Sequence, residues 1–149
     1  MAQLMTRKTT FEKEIERNGY FYYVSKGTSM LPLIREGRDI LLIGRIDGRL
    51  KKYDIPLYKR KNGLYVLHRI MKVRDKDYVL CGDNHTYMET GITDDDLVGV
   101  LTELVRNGKT ISLNSLPYRL YTFFWCDLFF FRVICLKLKN ILYRLINAR

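Results

Sequence analysis

Cysteine, proline, histidine and tryptophan are all scarce in this chain of 149 residues: three, three, two and one. Cys81, Cys126 and Cys135 are odd in number and form no C-x-x-C pair, which excludes a disulfide scaffold and a zinc site of the usual spacing. No low-complexity run, internal repeat or RNA- or DNA-binding signature appears. Met1 to Glu16 carry charges throughout and no apolar run, so the sequence predicts neither a cleavable signal peptide nor an N-terminal membrane anchor. Acidic residues are also short in supply, 16 against 26 basic ones, giving a net charge of +10. An excess of that size favours anionic partners. From Pro117 to Arg149 six basic residues face one acidic residue, a net +5 in the most apolar part of the chain. Lysine and arginine among aromatic residues point to a membrane surface rather than to nucleic acid.

The length suits one core. Thr9 to Arg17 reads as a short helix, with Thr9 and Glu12 as a capping box and Asn18-Gly19 as its end. Strands are predicted at Tyr20–Val24, Asp39–Ile43, Asp54–Lys59, Leu64–Arg74, Tyr78–Cys81 and Leu97–Arg106. Asn62-Gly63 and Asn107-Gly108 supply hairpin turns, and Thr110 to Ser112 follow the second. The expected fold is therefore mainly β and antiparallel, with residues 1–115 as the body and 116–149 as a basic, aromatic helical tail. Between Leu120 and Leu136 the only charges are Asp127 and Arg132. Each costs about 2.5–3.5 kcal/mol at a bilayer centre, which offsets gains of about 0.3–0.6 per apolar residue. Lys137, Asn140, Arg144 and Asn147 then share one helical face. An amphipathic helix lying in the membrane plane is expected rather than a spanning one, with the body on the cytoplasmic side.

The chemistry centres on Lys26-Gly27-Thr28-Ser29-Met30-Leu31-Pro32, followed by Gly37-Arg38-Asp39. Gly27 permits a sharp turn, and Pro32 keeps Leu31 out of helix. A hydroxyl presented there, beside backbone N–H groups, suits a nucleophile with an oxyanion site. Strand alternation puts His68 on an apolar face with Leu64, Val66 and Ile70, where burial keeps the ring neutral and able to accept a proton. Gly82-Asp83-Asn84 places a carboxylate at a turn, where it could orient that histidine. Asp94-Asp95-Asp96 begins the next strand or caps a short turn, and no matching ligand set suggests a metal.

The order of these motifs, with Asp54-Ile55-Pro56-Leu57-Tyr58, Val66-Leu67-His68-Arg69-Ile70 and Leu97-Val98-Gly99 among them, resembles the signal peptidase I and LexA-like superfamily of serine peptidases. The resemblance runs from about Val24 to Val105, and histidine at position 68 is similar to the Ser-His branch. It implies a coiled antiparallel β body that cleaves leader or signal peptides, with small residues before the cut and no cofactor. Ser29 would be the nucleophile, His68 the base and Asp83 the acidic partner, with Glu89 or Asp94 as alternatives. Gly27, Thr28 and Met30 would shape the oxyanion and substrate-positioning turn. The chain departs from the family in lacking the N-terminal anchor and in having Tyr53 where glycine usually precedes Asp54. Two other expectations stay open: LexA-like self-cleavage, and a non-catalytic membrane-surface module on the same scaffold. A lysine base, Lys59 or Lys61, is a lesser variant.

Overall fold

The computed structural model describes residues 10–147. Helix α1 (Phe11–Asn18) begins at Thr10, whose side chain accepts the Lys13 N–H, and ends at Gly19 in the left-handed region. The cap is thus Thr10; Thr9, expected in that role, lies outside the described residues. Among the described residues nine strands follow: β1 (Tyr20–Val24), β2 (Ile40–Gly44), β3 (Pro56–Lys59), β4 (Tyr65–Leu67), β5 (Arg69–Val73), β6 (Tyr78–Cys81), β7 (Glu89–Ile92), β8 (Leu97–Arg106) and β9 (Lys109–Ile111). A 3₁₀ turn (Asp94–Asp96), capped by Thr93, leads into β8.

The body is mainly β, a curled antiparallel half-barrel. Its larger sheet runs β1-β2-β8-β3-β4, with β9 beside the end of β8, and the smaller runs β5-β6-β7. The long strand β8 is shared: Val100 to Val105 pair with β2 on one side, while Leu97 to Val100 pair with β3 on the other. Register shifts at Leu42/Ile43 and Leu57/Tyr58 bend the large sheet. Inside the curl lie Phe21, Leu41, Ile43, Leu57, Leu67, Leu101 and Leu104, with Ile15 of α1 packed beneath them. Ile15 can come so close because β8 carries Gly99 there: a methyl at that position would sit 2.7 Å from Ile43 and 3.3 Å from Ile15.

The stretch Leu64 to Arg74, expected as one strand, is two. Chain pairing switches at His68, so β4 belongs to the large sheet and β5 to the small one. Period-2 alternation fails across that switch, where Leu67, His68, Arg69, Ile70 and Met71 are buried one after another.

Arg69 is buried because it meets Asp83 in the interior. Its Nε and Nη2 donate to the two carboxylate oxygens at 2.8 and 2.7 Å, and neither side chain has any exposed surface. The cage around the pair comes from the C-terminal segment. Arg69 Nη1 donates to Tyr118 Oη, Tyr121 donates to Asp83 Oδ2, and Trp125 Nε1 donates to the Asp83 carbonyl. That segment consists of α2 (Leu116–Thr122), a π-helical turn (Phe123–Asp127) and α3 (Phe129–Asn147). It starts at the expected boundary, yet its first half is part of the body: Cys126 packs with Met71 and Cys81, and Arg132 and Leu136 are buried. Asp127 accepts from Lys52 at 2.6 Å and from the Tyr53 hydroxyl at 2.5 Å. Tyr53 has φ +79°, so the position where the resembling family uses glycine does adopt the left-handed backbone that glycine favours. Among the described residues no helix is long and apolar enough to cross a membrane.

Removing one member of a buried ion pair leaves an uncompensated charge, at a cost of about 3–5 kcal/mol. Urea denaturation of Asp83→Ala is expected to show a loss of that order. Arg69→Met/Asp83→Leu should lose much less than the sum of the single variants. Additive losses would show that the two charges are not coupled.

Candidate functional site

Ser29 sits on the turn between β1 and β2. Gly27 has φ +101°, and its N–H donates to Glu36 Oε1 at 2.5 Å. The Gly27 amide is therefore engaged and not open to an oxyanion. The amide of Ser29 donates to no described residue. The far end of the turn is tied down by the Gly37-Arg38-Asp39 motif. The Gly37 N–H reaches the Ser25 carbonyl at 3.1 Å. Buried Asp39 accepts from Arg35 and Arg106, with a shortest contact of 2.6 Å. Burial raises the Asp39 pKa, but these guanidinium groups outweigh it and bring the carboxyl down to about 2. Met30, expected to help position substrate, is 2% exposed and points into the main core beneath the turn. Thr28 is exposed.

His68 occupies the single-residue step between β4 and β5 and is buried. Gly82 is the contact that brings it to the serine turn. A methyl at Gly82 would lie 2.6 Å from the Ser29 carbonyl oxygen, 2.9 Å from His85 Nδ1 and 3.2 Å from His68 Nε2. The next amide but one, Asn84 N–H, donates to that same Ser29 carbonyl at 2.8 Å. Only a residue without a side chain lets the three groups converge. Ser29, His68 and His85 line one recess. The Ser29 hydroxyl forms no hydrogen bond with a described residue in this conformation.

The far nitrogen of His68 fixes its tautomer. Tyr58 Oη lies 3.1 Å from His68 Nδ1 and donates its one proton to Glu89 Oε2 at 2.8 Å. The Tyr58 oxygen must therefore accept from Nδ1–H, which leaves Nε2, the nitrogen nearest Gly82, with its lone pair. Glu89 is held by a two-pronged contact from Arg60, at 2.9 and 2.6 Å. Burial pushes the Glu89 carboxyl up, but Arg60 and Tyr58 together hold it below its ordinary value. Tyr58 is driven well above the usual phenol range by burial and by the adjacent Glu89 charge. Burial, helped by neighbouring His85, lowers His68 to about 4, so the ring is a neutral acceptor at pH 7.

Asp83 gives both carboxylate oxygens to Arg69 and shares one with Tyr121, and neither oxygen is hydrogen-bonded to His68. Asp94 pairs with Arg49 at 2.9 Å and with the Tyr78 hydroxyl, away from His68. Glu89, one of the alternatives, is the carboxylate that reaches the ring, through Tyr58 and within 3.8 Å of Nδ1. Lys59 pairs with Glu12 at 3.1 Å. Tyr58, Arg60 and His85 were not foreseen as site residues. Tyr58 had a usable signal, since it closes the Asp-Ile-Pro-Leu-Tyr run on a strand that pairs with the His68 hairpin. His85 had none beyond being the second of two histidines. Among the described residues no cluster of three or more histidine, cysteine or carboxylate side chains could hold a metal ion.

Compared with protein-family models, curated proteins and solved structures, the chain matches none.

The His68 ring is expected to titrate near pH 4 by NMR, against an ordinary value of 6.5. Because the folded ring resists a proton that the unfolded one accepts, this residue makes the fold less stable as pH falls from about 6.5 to 4. Glu89→Gln should lower the ring pKa further, since it removes a carboxylate that favours imidazolium. A ring titrating at its ordinary value, or rising in that variant, contradicts the relay.

Proposed function

We propose that the protein is a serine endopeptidase of the signal-peptidase and LexA-like type, with Ser29 as nucleophile and His68 as general base. The observation that carries this reading is the convergence of the Ser29 turn and the His68 Nε2 lone pair on Gly82, in a recess both residues line. Ser29 Oγ attacks the scissile carbonyl while Nε2 takes its proton. The resulting imidazolium passes the proton to the leaving amine, and water then releases the acyl-enzyme. In this scheme Tyr58 and Glu89 do the work that an aspartate does in the commoner triad: they hold the ring by Nδ1 and stabilise its charged form. The Ser29 N–H donates to the oxyanion. Strands β1 and β4 end the main path of the large sheet, β1 pairing with β2 alone and β4 with β3 alone. An extended peptide can add to such an edge by backbone hydrogen bonds.

Membrane attachment belongs to the same proposal. Arg132 and Leu136 of α3 face the body, while Phe131, Ile134, Leu138, Ile141, Leu142 and Leu145 are all more than half exposed. At 100° per residue these fall on the opposite side of the helix, with Lys137, Lys139 and Arg144 flanking them. An apolar stripe edged with basic residues fits an anionic lipid surface.

The Ser29 hydroxyl of the wild type should displace fluoride from a fluorophosphonate probe and be phosphonylated, Ser29→Ala should not react, and His68→Gln should react at least about 100-fold more slowly. Equal labelling of Ser29→Ala rejects the nucleophile. An unreactive wild type with intact fold would favour the non-catalytic module.

In flotation assays the full chain should rise with phosphatidylserine-containing vesicles and less with phosphatidylcholine alone. Leu138→Glu/Leu142→Glu should remain at the bottom. Equal flotation of that variant would place the lipid contact elsewhere.

A further inference from the structure

Taking a proton from Ser29 would put a positive charge on His68, and a second imidazole stands beside it. The His85 ring meets His68 edge-on, with ring centres 5.2 Å apart. Stacking on Tyr87 at 4.6 Å holds His85 in the wall of the recess that Ser29 and His68 also line. Its Nδ1 is buried and has no hydrogen-bond partner among the described residues. Nothing bonded to that nitrogen favours a proton on the ring. The nearest uncompensated charge opposes one. Arg132 of α3 is fully buried, donates from Nη2 to Cys81 Sγ at 2.9 Å, and leaves Nε and Nη1 without a partner. The Cys81 thiol donates to the Tyr87 carbonyl at 3.0 Å, and burial holds its pKa above the ordinary value, so it does not offset the arginine. Arg60 and Glu89 also act on His85, but they are paired with each other at 2.6 Å. Asp83, on the side of His68, is paired with Arg69 at 2.7 Å. Burial first, and then Arg132, hold the His85 pKa below its ordinary value.

We propose, resting on the peptidase reading above, that His85 is a positioning residue for the base: uncharged, it lets His68 take the serine proton, and protonated, it shuts that transfer off. Two imidazolium rings at this separation repel, so the second charge is costly. His68 is only 2% exposed, whereas His85 is partly exposed, so on acidification His85 charges first. The reaction then fails while His68 is still neutral, because the charge it must acquire is opposed. Arg132 gives the C-terminal segment a part in this control. Its guanidinium sets how far the pH must fall before His85 takes a proton.

The test uses the full chain, its two histidine rings followed by NMR and its fluorophosphonate labelling rate measured across the acid range. Circular dichroism at each pH separates lost reactivity from unfolding. In the wild type the rate should fall at least about tenfold as His85 titrates, at a pH above the His68 titration. In His85→Gln the rate should fall only as His68 titrates, and the His68 ring should titrate at higher pH than in the wild type, since no charged neighbour opposes it. Arg132→Met should move the His85 titration and the loss of rate to higher pH together. If that variant does not fold, the wild type and His85→Gln carry the test. A wild-type rate that follows the His68 titration instead, or a His68 titration unchanged in His85→Gln, overturns the inference and leaves the peptidase reading intact. Silence toward the probe at every pH removes both.

Discussion

The buried ion pair between Arg69 and Asp83 holds together parts of the chain that would otherwise be independent. Each partner is fully desolvated, and such a pair is tolerated only when its remaining hydrogen-bonding capacity is met. Here the partners that meet it come from elsewhere: the Tyr53 carbonyl from the loop before β3, and Tyr118, Tyr121 and Trp125 from the C-terminal segment. The small sheet, the loop and the tail are thereby joined at one point. The pair also sets the site by adjacency in sequence. Arg69 follows His68, and Asp83 lies between Gly82, which the two histidines and the serine turn approach, and Asn84, whose amide holds the Ser29 carbonyl. Two residues without contact to any reacting atom thus govern the distance between the two that would react.

Much of this architecture was legible in the sequence. Strands with a clear end signal, such as Tyr20–Val24 and Leu97–Arg106, lie where alternation and turn residues place them. Gly19 and Gly63 adopt the positive φ their positions require, and the acidic triplet forms the capped turn before β8. The misreading at Leu64–Arg74 has a physical cause. Apolar alternation reports that a stretch is half buried, but it does not reveal that the pairing partner changes partway along. Nor can alternation anticipate that an arginine faces inward, since its burial depends on a carboxylate fourteen residues later in the chain. The acidic partner of His68 was ambiguous for the same reason. Asp83 stands at an apt turn, and only the three-dimensional claim of Arg69 on it leaves the ring to Tyr58 and Glu89. Strand β7, which carries Glu89, is short and has a glycine in it, and its sequence gave no strand signal.

The tail shows a different limit. Its amphipathic character was visible from residues 137–147, which are exposed throughout. The part before it is far more aromatic, with eight aromatic residues from Tyr118 to Phe131 against Tyr143 alone in 137–147, yet Tyr118, Cys126 and Arg132 are buried against the body. What separates them is that the first half offers hydrogen-bonding side chains to the ion pair, whereas the second extends beyond the surface it could pack on.

The position of His68 carries a last implication. As the lone residue between β4 and β5 it is anchored in neither ladder, and its ring direction is set by the angle at which one sheet leaves the other. Substitutions among the apolar residues of either strand can be absorbed by repacking, whereas Arg69 at the start of β5 is tied to Asp83. One added residue at this joint would turn the imidazole by about half a pleat, away from both Tyr58 and Gly82. The length of the chain here is consequently a requirement as strict as the identity of Arg69 beside it.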